Sequence, residues 1–128
     1  MGIYRPEEFG FDRTVCRGVF VGGCIRGSTR TGVTTRGDAA HSHNYRGDRH
    51  FGWICVADER DLFTPSRRPT RVMWHEYAHL LVPNANHGAR WRAAVTALGW
   101  PSEARRFGTG GGGRRGVRRT VQRAARRG

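Results

Sequence analysis

Histidine and glutamate recur in this chain at spacings that suit metal chemistry: His75-Glu76-Tyr77-Ala78-His79, then His87 eight positions after the second histidine. On a helix, residues four apart stack on one face. His75 and His79 can therefore aim their imidazoles at one point, within reach of zinc–nitrogen bonds of about 2.0–2.1 Å. Glu76 is turned about 100° around the helix from His75. It is badly placed to bind the same ion and well placed to take a proton from a water beside it. Two helical ligands, a third from elsewhere, an open fourth position and a general base form the layout of a zinc hydrolase. The plain alternative is a surface helix whose two histidines fall at helical spacing by chance, and His87 weighs against it. Pro83 disfavours helix in the residue before it, so the helix is expected to stop at or before Val82. Asn84-Ala85-Asn86 then makes a turn, and a new helical pattern starts near Gly88. His87 is thereby expected at a helix entrance, able to fold back toward the ion.

The elements that must position these residues are legible to different degrees. Thr70, after Pro69, is the expected N-cap of the first helix, with Val72, Met73, Leu80 and Leu81 on its buried side. A second helix is predicted from about Ala89 to Leu98, where Trp91, Val95 and Leu98 form one apolar stripe before the stop signal of Gly99 and Pro101. Trp91, packed in the core, would help fix His87. The segment from Phe51 to Ala57 is the clearest strand, apolar on both faces as a central strand is. Val15 to Ile25, interrupted by Gly18, Gly22 and Gly23, reads as a strand or bent hairpin. Gly22-Gly23 lacks the following Gly-Lys-Ser/Thr of a phosphate loop. Ala39 to Asn44 reads as a short strand with His41 and His43 on the same face. Such a strand either lies beside the metal and lines a cleft, or is an exposed polar edge, and the second is the preferred reading. Residues 1–13 show little pattern and are expected to form a loop or to fray, and residues 26–38 read as loop or edge strand. The two Arg-Gly-Asp triplets, at 36–38 and 46–48, read as turns.

At 128 residues the chain is expected to form one domain with a modest core. No run of 18 apolar residues is present, so no membrane span is expected. The polar stretch from Met1 to Gly10 argues against a secretory signal, and Pro6 stands where a myristoylation signal wants Ser or Thr. A cytoplasmic protein is the expectation. Cys16, Cys24 and Cys55 are odd in number and form no Cys-x-x-Cys pair, which argues against a disulfide framework and a separate zinc ribbon. They are expected to be small buried side chains. The net charge is +13, and all 23 basic residues are arginine, which points to a polyanionic partner, nucleic acid first. From Glu103 onward the composition changes to glycine and arginine. Arg114, Arg115, Arg118, Arg119, Arg123, Arg126 and Arg127 follow the glycine run at 110–113. This tail cannot build a core, is expected to be disordered, and offers phosphate contacts.

The segments Trp53-Ile54-Cys55-Val56, His75-Glu76-Tyr77-Ala78-His79-Leu80-Leu81 and Asn86-His87-Gly88-Ala89-Arg90-Trp91 together resemble the SprT-like, Spartan-type zinc metallopeptidases. The resemblance covers roughly residues 50–99. It implies a zincin-like α+β fold, one zinc ion on His75, His79 and His87, and Glu76 as catalytic base. Members of that family include proteases that degrade proteins crosslinked to DNA. The zinc ribbon that often follows the catalytic domain in the family is not visible here. Metzincin spacing does not apply, because Val82 and Ala85 occupy the places where it wants Gly and His.

The expected architecture is therefore α+β. A short antiparallel sheet packs on an active-site helix and a second helix in residues 1–102, followed by a flexible tail over residues 103–128. The expected function is a zinc-dependent endopeptidase acting on protein or peptide substrates, with DNA-associated proteins as candidates. His43, Tyr45 and Arg90 are candidates to stabilise the oxyanion, whereas Tyr77 is expected to pack. The segment from His41 to Asn44 is a candidate edge for substrate strand addition. A basic DNA-binding protein with a purely structural zinc site and a zinc hydrolase of another substrate class stay open beside this reading.

Overall fold

The computed structural model describes residues 2–26 and 39–107. The chain divides into two compact units, Met1–Asn84 and Ala85–Gly128. The boundary falls inside the stretch expected to form one domain.

The first unit is built on a four-stranded sheet with strand order β1-β2-β4-β3. The strands are β1 (Gly2–Tyr4), β2 (Gly18–Val21), β3 (Ala40–Ser42) and β4 (Trp53–Val56). β4 is a central strand, as its apolar run predicts, and Ile54, Cys55 and Val56 are fully buried. The sheet is mixed rather than antiparallel throughout. β1 pairs antiparallel with β2, and β3 antiparallel with β4, but β2 and β4 run parallel. The expectation of an all-antiparallel sheet fails here because side-chain pattern reports which faces are buried, not the direction of the neighbouring strand. Both central strands carry the continuous apolar character that parallel pairing favours. Gly18 permits the close approach of these two strands: a Cβ there would lie 2.6 Å from the Trp53 ring.

The N-terminal segment, expected to be loop, is ordered. It contributes β1 and a short 3₁₀ helix at Pro6–Phe9, and its aromatics build the core beside the first helix. Phe9 stacks on Phe63, and Phe11 stacks on Tyr77 at 4.2 Å between ring centroids. Sparse aromatics within a polar stretch carry no periodicity, so only their partners elsewhere in the chain reveal them as core.

The helix α1 (Arg71–Leu81) starts as predicted. Thr70 is its N-cap, and the Thr70 hydroxyl accepts from the Met73 backbone N–H. Helix ends at Leu81, ahead of Pro83, and Asn84 takes a left-handed φ of 64°, which asparagine tolerates better than most residues. α1 packs against β3.

The second unit contains α2 (Ala89–Ala97) and α3 (Pro101–Arg106), which pack on each other. Trp91 and Val95 are buried, as the apolar stripe predicts. α3 is a departure. Pro101, read as a stop signal, sits at the first position of a new helix, where its missing N–H costs nothing. Glu103, taken as the first residue of the flexible tail, is buried and accepts from Arg106 at 3.2 Å. No helix among the described residues is long and apolar enough to cross a membrane.

Candidate functional site

The helical spacing of the two histidines has its expected consequence. His75 and His79 lie on one face of α1 with ring centroids 5.0 Å apart. Both are buried, and so is Glu76 between them in sequence. Two imidazoles converging on a buried face suit zinc, copper, iron or nickel better than magnesium or calcium, so the residues present fit the ion that the spacing implies. Tyr77 is a packing residue, as expected. Its ring stacks on Phe11, and its hydroxyl accepts from the Asp12 backbone N–H at 3.1 Å.

His87 belongs to the second unit. Its ring stacks on Phe107 at 4.3 Å and meets Trp91 edge-on at 4.8 Å. The Arg92 guanidinium donates to its carbonyl at 2.9 Å. Trp91 therefore does brace His87, and Phe107, a residue the sequence did not single out, braces it from another side. Arg90 is exposed on α2. Tyr45 is exposed, at 68 % of its full accessibility. The seven tail arginines, Arg114 to Arg127, lie outside the described residues.

His43 departs most from expectation. The segment read as an exposed polar strand is indeed at the sheet edge, but His43 is only 6 % exposed. Its strand ladder continues past β3: His43 N–H donates to the Trp53 carbonyl, and Gly52 N–H donates to the His43 carbonyl. His41 is directly opposite Cys55 in the β3–β4 register, and residues two apart on a strand share a face. His41, His43 and Cys55 are thus brought to one spot by register alone. Cys24 joins them after β2, where Gly22 and Gly23 take φ values of 104° and 150°, a turn that side-chain-bearing residues rarely make.

The result is a group of four ligand atoms, from Cys24, His41, His43 and Cys55, all within 4.8 Å of one another. Such a group can hold a metal ion. The sequence signal was there in His-x-His on a strand and in cysteines without an obvious partner. What it lacked was the register that joins them. Both ring nitrogens of His43 are engaged here, with Nδ1 at 2.8 Å from Asp48 Oδ2 and Nε2 facing the sulfurs. His43 therefore has no nitrogen to offer an oxyanion.

Asp48, read only as a turn residue, anchors this group. It also binds Arg26 at 2.6 Å and accepts from the His50 backbone N–H at 2.8 Å. Burial alone would raise its pKa, but the His50 N–H, the His43 ring and the Arg26 charge together hold it down at about 2. Burial lowers the His43 pKa, against the opposing pull of Asp48. The Cys55 thiol is pushed up by burial, then by the Cys24 sulfur and the Glu76 carboxylate, with the Ile25 N–H acting the other way. Cys16 stands apart, buried, with its thiol donating to the Gly18 carbonyl.

Compared with known proteins, the chain matches no family model, no curated protein and no solved structure.

Proposed function

We propose that this chain is a zinc-dependent endopeptidase, with His75, His79 and His87 as metal ligands and Glu76 as general base. The observation that carries the reading is local to α1: two buried imidazoles 5.0 Å apart on one helix face, with a buried carboxylate at the next position. His87 is the third ligand by its place in the chain, at the residue before the N-cap of α2. Its aromatic bracing by Trp91 and Phe107 supports a fixed ring.

His75, His79 and His87 would hold the ion, which would supply Lewis-acid polarisation of a scissile carbonyl and acidify an attacking water. The Glu76 carboxylate would serve as the base that takes a proton from the attacking water and returns it to the leaving amine. β3 is an edge strand, and a substrate laid along it in extended form gains main-chain hydrogen bonds. With His43 committed elsewhere, Tyr45 and Arg90 are the candidates to stabilise the oxyanion. The net charge of +13 favours substrates that sit on DNA. The same charge supports the second reading, a basic DNA-binding protein whose metal is structural only.

The test is Glu76→Gln assayed on casein and on histone, with and without chelator. Removing the general base is expected to cut turnover by about 10²–10⁴-fold, with zinc content and circular dichroism unchanged. Undiminished cleavage by the variant would overturn the assignment of Glu76. Wild-type protein that binds zinc yet cleaves neither substrate would favour the DNA-binding reading or a hydrolase of another substrate class.

A further inference from the structure

The cysteine–histidine group lies outside the chemistry assigned to α1, and its internal distances are informative. Four ligands at the corners of a tetrahedron around zinc have bonds of about 2.3 Å to sulfur and about 2.0–2.1 Å to nitrogen. Those bond lengths place ligand atoms about 3.8 Å apart for two sulfurs, about 3.5 Å for sulfur and nitrogen, and about 3.3 Å for two nitrogens. In the structure, Cys24 Sγ and Cys55 Sγ are 4.0 Å apart. His43 Nε2 is 3.5 Å from Cys24 Sγ and 3.3 Å from Cys55 Sγ. His41 Nε2 and His43 Nε2 are 3.3 Å apart.

The surroundings follow the same logic. Asp48 Oδ2 lies 2.8 Å from His43 Nδ1, a placement that suits a hydrogen on Nδ1 and leaves Nε2 facing the group. A carboxylate behind an imidazole is the usual support of a metal-bound histidine. Backbone N–H groups point at both sulfurs, Ile25 to Cys55 Sγ at 3.3 Å and Arg26 to Cys24 Sγ at 3.5 Å, as suits thiolates. The sulfurs are far beyond the roughly 2.05 Å of a disulfide, and both cysteines are free. Hydrogen bonding alone accounts for the arrangement less well. One lone pair on His43 Nε2 can accept one good hydrogen bond, yet two thiols and an imidazole nitrogen face it.

We infer that Cys24, His41, His43 and Cys55 bind one zinc ion in a closed, four-ligand site, distinct from the site on α1. All four positions are filled by protein, which is the character of a structural site rather than a catalytic one. The ion ties the edge strand β3 and the turn after β2 to the central strand β4. It thereby holds in place the strand against which α1 packs.

The two metal sites differ in chemistry, so cobalt(II) tells them apart on the full-length chain. Thiolate bound to cobalt produces a near-ultraviolet charge-transfer band, and an all-histidine site does not. Wild-type protein is expected to show that band, and the double variant His75→Ala/His79→Ala is expected to keep it with one metal equivalent. Cys24→Ser/Cys55→Ser is expected to lose both the band and that equivalent, whereas Cys16→Ser keeps them. Should the cysteine variant fail to fold, the wild-type spectrum and the α1 variant still decide. Zinc is further expected to shield two of the three thiols from a thiol reagent in wild-type protein. Cobalt-loaded protein without the band, or thiols that react equally fast with and without zinc, would overturn the inference. Failure of the Glu76→Gln assay leaves these spectra untouched, so the two readings stand or fall separately.

Discussion

At the scale of the residue, two side chains carry roles that their types alone do not disclose. Tyr77 is one position from the proposed general base, yet its hydroxyl accepts from Asp12 N–H and its ring stacks on Phe11. Tyr77→Phe leaves that N–H without its partner and is expected to destabilise the fold by about 1 kcal/mol, read from urea unfolding, with kcat unchanged. A large fall in kcat at unaltered stability would instead assign Tyr77 to the chemistry. Asp48 has the form of an ordinary turn residue and supports His43 from behind. Asp48→Asn is expected to weaken cobalt binding at the cysteine–histidine site by about 10–100-fold, followed through the charge-transfer band. Unaltered affinity would show that the carboxylate is not coupled to the ligand.

At the scale of the element, α1 depends on its start and the sheet on one close contact. Thr70 caps α1 through the Met73 N–H and also donates to the Asp61 carbonyl. Thr70→Ala removes both and is expected to cost about 0.5–2 kcal/mol, while Thr70→Ser retains most of it; equal stability of the three proteins by thermal melting would contradict the capping role. Gly18 faces the Trp53 ring across the parallel pair, and the added methyl of Gly18→Ala would lie 2.6 Å from it. Overpacking of this kind is expected to cost about 1–3 kcal/mol. A neutral effect in denaturant titration would mean that Trp53 moves aside freely.

At the scale of the whole molecule, the predictions concern the net charge of +13 and the proposed metal. Because helix α3 extends to Arg106 and buries Glu103, the arginine segment is best removed by ending the chain at Phe107 rather than at Pro101. The shortened chain is expected to bind DNA more weakly, with a shallower dependence of log affinity on log salt. An unchanged slope would remove the segment from the interface. Metal bound only by the folded state stabilises by mass action, about 4 kcal/mol at a thousandfold excess over Kd. Chelation is therefore expected to lower Tm, and re-addition of zinc to restore it.

What the sequence determines by itself is what a single segment can carry. The pair His75 and His79, the Thr70 cap, the stop before Pro83 and the central character of β4 all follow from spacings within a dozen residues, where helix and strand geometry act directly. The fold class of helices with a small sheet is legible for the same reason. The parallel pairing of β2 with β4, the ordering of the N-terminal aromatics and the helix begun by Pro101 are decided by partners distant in the chain. The cysteine–histidine group shows the difference most plainly. Cys24 and Cys55 stand 19 and 12 positions from His43, spacings that carry no local geometry at all. Only strand register and a two-glycine turn bring their lone pairs to one point, because side-chain proximity across a sheet is a property of pairing, and pairing exists only in the folded chain.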